Sequence, residues 1–471
     1  MKKIRWMPLL LAVLVLIGLL APDTRAAGAD SSVTAGCNTV DAAVPLSHEG
    51  QLLETAKSVL LYDLNSDTMI YAYNPDLQVY PASLVRIMAV MVALEHASLT
   101  DEVVVNQSAL MNMDADAIVF GLRAGERLSL ESLLYLMIVS AANDPGPVVA
   151  EHVAGSQVEF AKLMNEKAAE LGCTGTNFTN AHGLHDPNNY TTARDLLRIT
   201  KAALENPVIR KMFESEYYIV PATNYSAERT AYTSNYMLSN LVVKKYYDER
   251  LTGGKTGATE AAGRCLVATS EGNGLRLLSI VMGTVPTYEE ETNLILRFGS
   301  FEETAELLDF AYSRYEHRKL FYTNQVMAQM PVSGGTNAVT LTPAQTLSTV
   351  LPIALDESLL TYEYNREAGL TAPIMAGSQI SPLLVWYDSV CLGTTELLAM
   401  YDVPRWGSPQ EALPAPEEEQ DGSWGLMLLV LGVLLAIALV AVLAMIAVRW
   451  ARMALIRARR RRRHENRRRS R

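Results

Sequence analysis

The chain has 471 residues, 49% of them hydrophobic and 19% charged, which excludes a wholly disordered polymer and is too much chain for one compact core. Two or three folded units with targeting segments are the expectation. The net charge of −11 divides into about +11 on the last residues and about −22 on everything before them, and so acidic a body excludes nucleic acid as its partner.

At the N-terminus, Lys2, Lys3 and Arg5 precede an apolar run from Leu9 to Leu20, followed by Ala26, Ala27 and Ala29. This reads as a signal peptide over residues 1–29, its apolar run short for a bilayer crossing. Residues 30–50 are small, polar and irregular, an exposed lead-in. The four cysteines, Cys37, Cys173, Cys265 and Cys391, include no CxxC pair and no zinc pattern. Export permits a disulfide without the spacing requiring one, and no metal or other cofactor is expected.

Residues 51–315 read as one α+β domain. Ser58–Leu64 and Met69–Tyr73 are strand-like and joined by the turn signal Asn65-Ser66-Asp67, a hairpin. Pro81 suits a first helical turn, and Leu84, Ile87, Met88, Met91, Val92 and Leu94 predict a helix that is apolar nearly all round, hence central and buried. Helical patterns return at Leu128–Val139, at Ser156–Leu171 with a capping box from Ser156 to Glu159 and a stop at Gly172, and at Thr192–Glu205 before Pro207. Strands follow at Cys265–Thr269 and Leu275–Val281 around Gly272-Asn273-Gly274, then a helix over Phe301–Tyr315. Strands, helices and strands again predict helices packed on an antiparallel sheet.

Residues 316–406 carry strand-like runs at Ala338–Leu341, Ile380–Tyr387 and Leu397–Tyr401, a small all-β domain. Pro409, Pro414, Pro416 and the acids Glu417, Glu418, Glu419 and Asp421 mark 407–423 as a linker. The segment 424–449 is expected to be a transmembrane helix: Gly425–Val448 has no charged residue, is long enough to span the hydrocarbon, and is flanked by Trp424 and Trp450. From Arg449 onward there are twelve arginines against Glu465 alone, so the tail 450–471 is expected in the cytoplasm and the body outside, a single-pass cell-membrane protein. The tail would also sit on anionic lipid, or serve only as a stop-transfer flank.

Three short patterns carry the chemistry: Pro81-Ala82-Ser83 opens the buried helix, Asn143-Asp144 ends another, and Lys255-Thr256-Gly257 lies on a strand leading into a hairpin. Their order resembles the SxxK, SxN and KTG elements of penicillin-recognising serine enzymes. Asn180-Ala181-His182-Gly183-Leu184 resembles the NPHGL segment of D-alanyl-D-alanine carboxypeptidases, and Gly263-Arg264-Cys265-Leu266-Val267-Ala268 resembles the segment after their KTG. The resemblance to that low-molecular-weight penicillin-binding family covers Glu54 to Tyr315. It implies the β-lactamase/transpeptidase-like fold, with peptidoglycan stem peptides ending in D-Ala-D-Ala as ligands and β-lactams as possible ones.

The resemblance also assigns roles. Ser83 matches the nucleophile that forms an acyl-enzyme, Asn143 the residue that holds the substrate amide, and Lys255, Thr256 and Gly257 the element that holds the terminal carboxylate. Backbone amides of Ser83 and Ala258 match the oxyanion hole.

Two positions depart from the pattern. The family's lysine, one helical turn after the serine, is here Arg86, and a guanidinium does not act as a base. The SxN serine is here Ala141. Ser140 is one place early, a rotation of roughly 100° on a helix. Losing one member of such a unit lowers turnover by somewhere between ~10² and ~10⁶. His182 reads as structural and Cys265 as a small core residue. Three readings stay open: a carboxypeptidase that uses Lys255 as its base, a catalytically silent relative that senses stem peptides, and a β-lactamase, which the long ectodomain fits least.

Overall fold

Ser58-Val-Leu-Leu-Tyr-Asp63 has no polar alternation, so it suits a strand covered on both faces, and every residue of β1 (Ser58–Asp63) is buried. The computed structural model describes residues 45–47, 49–111, 117–292 and 295–407. β1 pairs with β2 (Thr68–Tyr73), and a second run supplies β3 (Leu251–Thr259), β4 (Gly263–Gly272) and β5 (Leu275–Thr284). The five form one antiparallel sheet in the order β2-β1-β5-β4-β3, which leaves β3 at an edge.

Alternation then divides the core. Leu60, Val267, Leu278 and Ile280 face the helices that lie between the two strand runs. Val59, Leu61, Leu266 and Val281 face the opposite side, toward Phe301, Leu307, Leu308 and Ala311 of a C-terminal helix.

The central helix α1 (Val85–His96) is buried from Val85 through Ala93, as its all-round apolar pattern requires. It packs against α2 (Leu130–Val139), α3 (Pro145–Ala154), α4 (Gln157–Glu170) and α5 (Ala193–Glu205). Side-chain caps set where these start: Ser129 accepts from Ser132 N, Ser156 from Glu159 N and Thr192 from Asp195 N, each satisfying an otherwise open helical N–H. A short α6 (Pro207–Phe213) follows, and α7 (Ser300–Arg314) covers the far face of the sheet.

The expected helices and the first hairpin lie within two residues of their predicted bounds. The later strands run longer, because the ladder carries polar residues such as Ser270 and Glu271 that composition alone leaves out. Asn143-Asp144 corrects the sequence expectation: it does not end a helix but sits in the link between α2, which stops at Val139, and α3. α3 itself opens on Pro145, which needs no N–H in a first turn.

From Tyr315 to Ala399 seven strands form a five-stranded antiparallel sheet and a separate two-stranded ladder. The second core merges with that of α7, and Val350 N donates to Ser66 Oγ at 3.4 Å across the junction. The expected signal peptide, transmembrane segment, linker and arginine tail, apart from Gly407, lie outside the described residues. Among the described residues no helix is long and apolar enough to cross a membrane.

α7 is seated by Glu303, only 2% exposed. Its carboxylate accepts from Thr55 N at 2.9 Å, Ala56 N at 3.0 Å and the Thr55 hydroxyl. Glu303→Ala strands two backbone donors beside β1 and is expected to cost about 2–4 kcal/mol, read as a lowered urea midpoint with unchanged slope.

Candidate active site

Pro81 leads into a 3-10 turn, Ala82–Leu84, that runs directly into α1. Ala82 holds φ at 49°, a left-handed conformation that costs a non-glycine residue about 1 kcal/mol or more. Two glycines grip this turn. A Cβ on Gly183, itself at φ +83°, would lie 2.4 Å from the Ala82 carbonyl oxygen and 2.7 Å from Ser83 Cα, and one on Gly257 would lie 2.9 Å from the Pro81 oxygen. The Asn180–Leu184 segment and the Lys255-Thr256-Gly257 element therefore pack closely against the serine turn, each at a position where only a glycine fits.

The three short patterns do meet. Ser83, Ala141, Asn143, Lys255, Thr256, Gly257 and Ala258 all line one cleft of about 820 Å³. Ser83 is half-buried there, and its hydroxyl has no hydrogen-bond partner among the described residues.

Arg86 lies one turn below it, fully buried. Its guanidinium does not turn to the serine. Nε donates to the His182 carbonyl at 2.9 Å, Nη1 to the Ser140 carbonyl at 3.5 Å, and Nη2 to the Ala141 carbonyl at 3.4 Å and to Asn143 Oδ1 at 2.7 Å. Burial lowers its pKa to about 10, against the opposing pull of the Asp144 carboxylate, so it remains a cation at neutral pH.

Asn143 is equally committed. Its Oδ1 accepts from Arg86, while its own N–H and Nδ2 donate to the Ile118 carbonyl at 2.7 and 3.0 Å. Asp144 fixes the same loop by accepting from the backbone amides of Phe120, Gly121 and Leu122 at 2.7–2.9 Å. Ser140 is spent within its own chain: its hydroxyl donates to the Leu136 carbonyl at 2.7 Å and accepts from Ala142 N at 3.3 Å. It does not replace the hydroxyl missing at Ala141.

Lys255, 1% exposed, extends its amine to within 3.5 Å of the Ser140 carbonyl. Burial, and secondarily the Arg86 cation, push its pKa well down. Burial raises the Cys265 thiol to about 11, which makes it the inert core residue expected. Burial, with Arg86 second, pushes His182 down to about 4. Its Nδ1 accepts from Leu184 N at 3.0 Å, as a neutral, structural imidazole does.

Ser234 is a cleft residue that sequence reasoning missed. Its hydroxyl lies 2.6 Å from Thr256 Oγ1, and its irregular surroundings, Thr233–Asn240, offer no pattern that would single it out. The side chain of Arg264 also faces this cleft.

A serine at the head of a buried helix, beside an edge strand bearing Lys-Thr-Gly and beneath an asparagine from the helical side, defines a penicillin-recognising serine hydrolase. The sequence profile of the D-alanyl-D-alanine carboxypeptidases (peptidase family S11) matches residues 47–285, and that of the penicillin-binding protein 5 C-terminal domain matches residues 315–405. The chain belongs to the D-alanyl-D-alanine carboxypeptidase family of peptidoglycan metabolism. It is 30% identical over 360 residues to the D-alanyl-D-alanine carboxypeptidase DacA of Haemophilus influenzae, covering 75% of this chain and 86% of the relative. To DacF of Bacillus subtilis it is 27% identical over 363 residues, 76% and 88% of the two chains. The crystal structure of penicillin-binding protein 5 from Haemophilus influenzae superposes with a TM-score of 0.59 at 27% identity, over 76% of this chain and all of that one.

The His182 shift has a definite sign. The unfolded imidazole binds its proton near pH ~6.5, the folded one only near 4, so the unfolded state holds more protons between these values. This contribution to stability is full above pH ~6.5 and falls by about 3 kcal/mol as the pH drops to 4. Urea titrations at pH 7 and pH 4 are expected to show that part of the acid loss vanish in His182→Asn.

Proposed function

We propose that this protein binds the D-Ala-D-Ala ends of peptidoglycan stem peptides, and β-lactams, at the Ser83 cleft, but acylates slowly. One observation carries the reading: the Arg86 guanidinium is bound to three carbonyls and Asn143, stays protonated at neutral pH, and offers Ser83 no proton acceptor. The SxN hydroxyl is missing at Ala141, and Ser140 points away. The groups that would receive a ligand are still in place. Thr256 and Ser234 present hydroxyls, and the backbone amides of Ser83 and Ala258 are assigned to the oxyanion. In this reading residues 51–406 lie outside the cell behind a cleaved leader, the segment 424–449 anchors them, and the protein senses wall peptides rather than trimming them.

A second reading, slow carboxypeptidase activity with Lys255 as base, is favoured by the burial of that amine beside the Ser140 carbonyl, which pushes its pKa down, since a lysine can give up its proton where an arginine does not.

Labelling with a fluorescent penicillin, followed over time on a gel, separates the two. Slow binding without turnover predicts weak labelling that Ser83→Ala abolishes and that the pair Arg86→Lys with Ala141→Ser accelerates by ~10² or more. Wild-type release of D-alanine from a pentapeptide at the rate of a lysine-bearing relative would refute it. Slow release that disappears in Lys255→Met as well as in Ser83→Ala would establish the second reading instead.

A further inference from the structure

The cleft continues round the edge of β3. In the antiparallel register Thr256 pairs with Leu266 and Ala258 with Arg264, while Lys255 pairs with Val267. Paired residues share a face and neighbours along a strand alternate. Thr256, Ala258 and Arg264 therefore stand on the side toward α7, whereas Lys255 stands on the helical side, where its amine meets the Ser140 carbonyl. The far part of the cleft is walled by Tyr236, Phe298 and Phe301.

Arg264 is placed and unpaired. Its guanidinium carbon lies 5.2 Å from the Phe298 ring centroid, and Phe298 is itself held edge-on by Tyr236 and Tyr246 at 5.8 and 5.4 Å. The guanidinium has no hydrogen bond or ion pair among the described residues, although Glu260 lines the same cleft. Arginine does not discharge at neutral pH, so this is a positioned, unneutralised charge at the wall of a ligand cleft. The other two cationic side chains at the site are turned elsewhere: Arg86 serves backbone carbonyls, and the amine of Lys255 is buried against Ser140.

We propose that Arg264 is the residue that neutralises the carboxylate of the bound ligand, with the Thr256 and Ser234 hydroxyls as its neutral partners. The ligand's C-terminal carboxylate then lies on the α7 side of β3 rather than at Lys255. The proposal rests on the stem-peptide reading above and assigns the charge-recognising element of that same site. Phe298 stiffens the arginine by stacking, so less side-chain freedom is lost on binding.

The test is equilibrium binding of diacetyl-Lys-D-Ala-D-Ala and of its C-terminal amide, measured by calorimetry on the full chain. The wild type is expected to prefer the acid. Arg264→Leu is expected to lose about tenfold to a hundredfold in affinity for the acid with the amide unchanged, and Arg264→Lys to recover part of the loss. Equal affinity of wild type and Arg264→Leu for the acid, or equal losses for acid and amide, overturns the role of Arg264 and leaves the stem-peptide reading standing. A wild type that binds neither peptide and is not labelled by a fluorescent penicillin overturns both. Should Lys255→Met rather than Arg264→Leu abolish the preference for the acid, the charge resides at Lys255 and the assignment is wrong. Circular dichroism and unfolding midpoints check that each variant is folded.

Discussion

The buried guanidinium of Arg86 is the interaction on which the site depends. A cation removed from water costs several kcal/mol unless it is surrounded by acceptors, and here the acceptors are the ends of separate chain segments: the carbonyls of Ser140 and Ala141 after α2, the carbonyl of His182, and the side chain of Asn143. One residue on α1 thus ties together the elements that border the cleft. A lysine has one nitrogen and three donors. The planar fork reaches four acceptors at once. Arg86 is accordingly a fastening at a place where the family's pattern puts a proton carrier.

The same charge shapes its surroundings. It is a secondary cause, after burial, of the lowered pKa of both His182 and Lys255, while the Asp144 carboxylate opposes the fall of its own. Because Asp144 also collects the amides of Phe120, Gly121 and Leu122, the loop that forms one lip of the cleft is bound to the cation that lies beneath the serine. The residue one helical turn after the serine carries the fixed charge, and burial pushes down the pKa of the lysine on the edge strand.

Much of this was legible in the order of residues. The apolar surround of Leu84–Leu94, the capping box at Ser156 and the three short patterns placed the helices, the sheet and the serine, since each rests on local periodicity or a local hydrogen bond. The departures at Arg86 and Ala141 were also visible, being simple identities at known offsets. What stayed hidden depends on contacts between distant segments. Ser234 reaches Thr256 only because the chain returns from the hairpin Tyr217–Tyr232 to the edge of β3. The burial of the Lys255 amine against the Ser140 carbonyl likewise joins residues more than a hundred apart in sequence. The link through Asn143-Asp144 was read as a helix end, because Pro145 opening a new helix looks the same in sequence as proline closing an old one.

The grip of Gly183 and Gly257 on the serine turn has a consequence for how such a protein changes over time. The backbone that carries the reactive serine lies so close to both glycines that neither has room for a Cβ. Replacements at the neighbouring rotamer positions therefore alter the chemistry while the scaffold that aims the hydroxyl stays as it was. A side-chain change at Arg86 or Ala141 leaves this mould intact, whereas a change at either glycine would erase the mould itself.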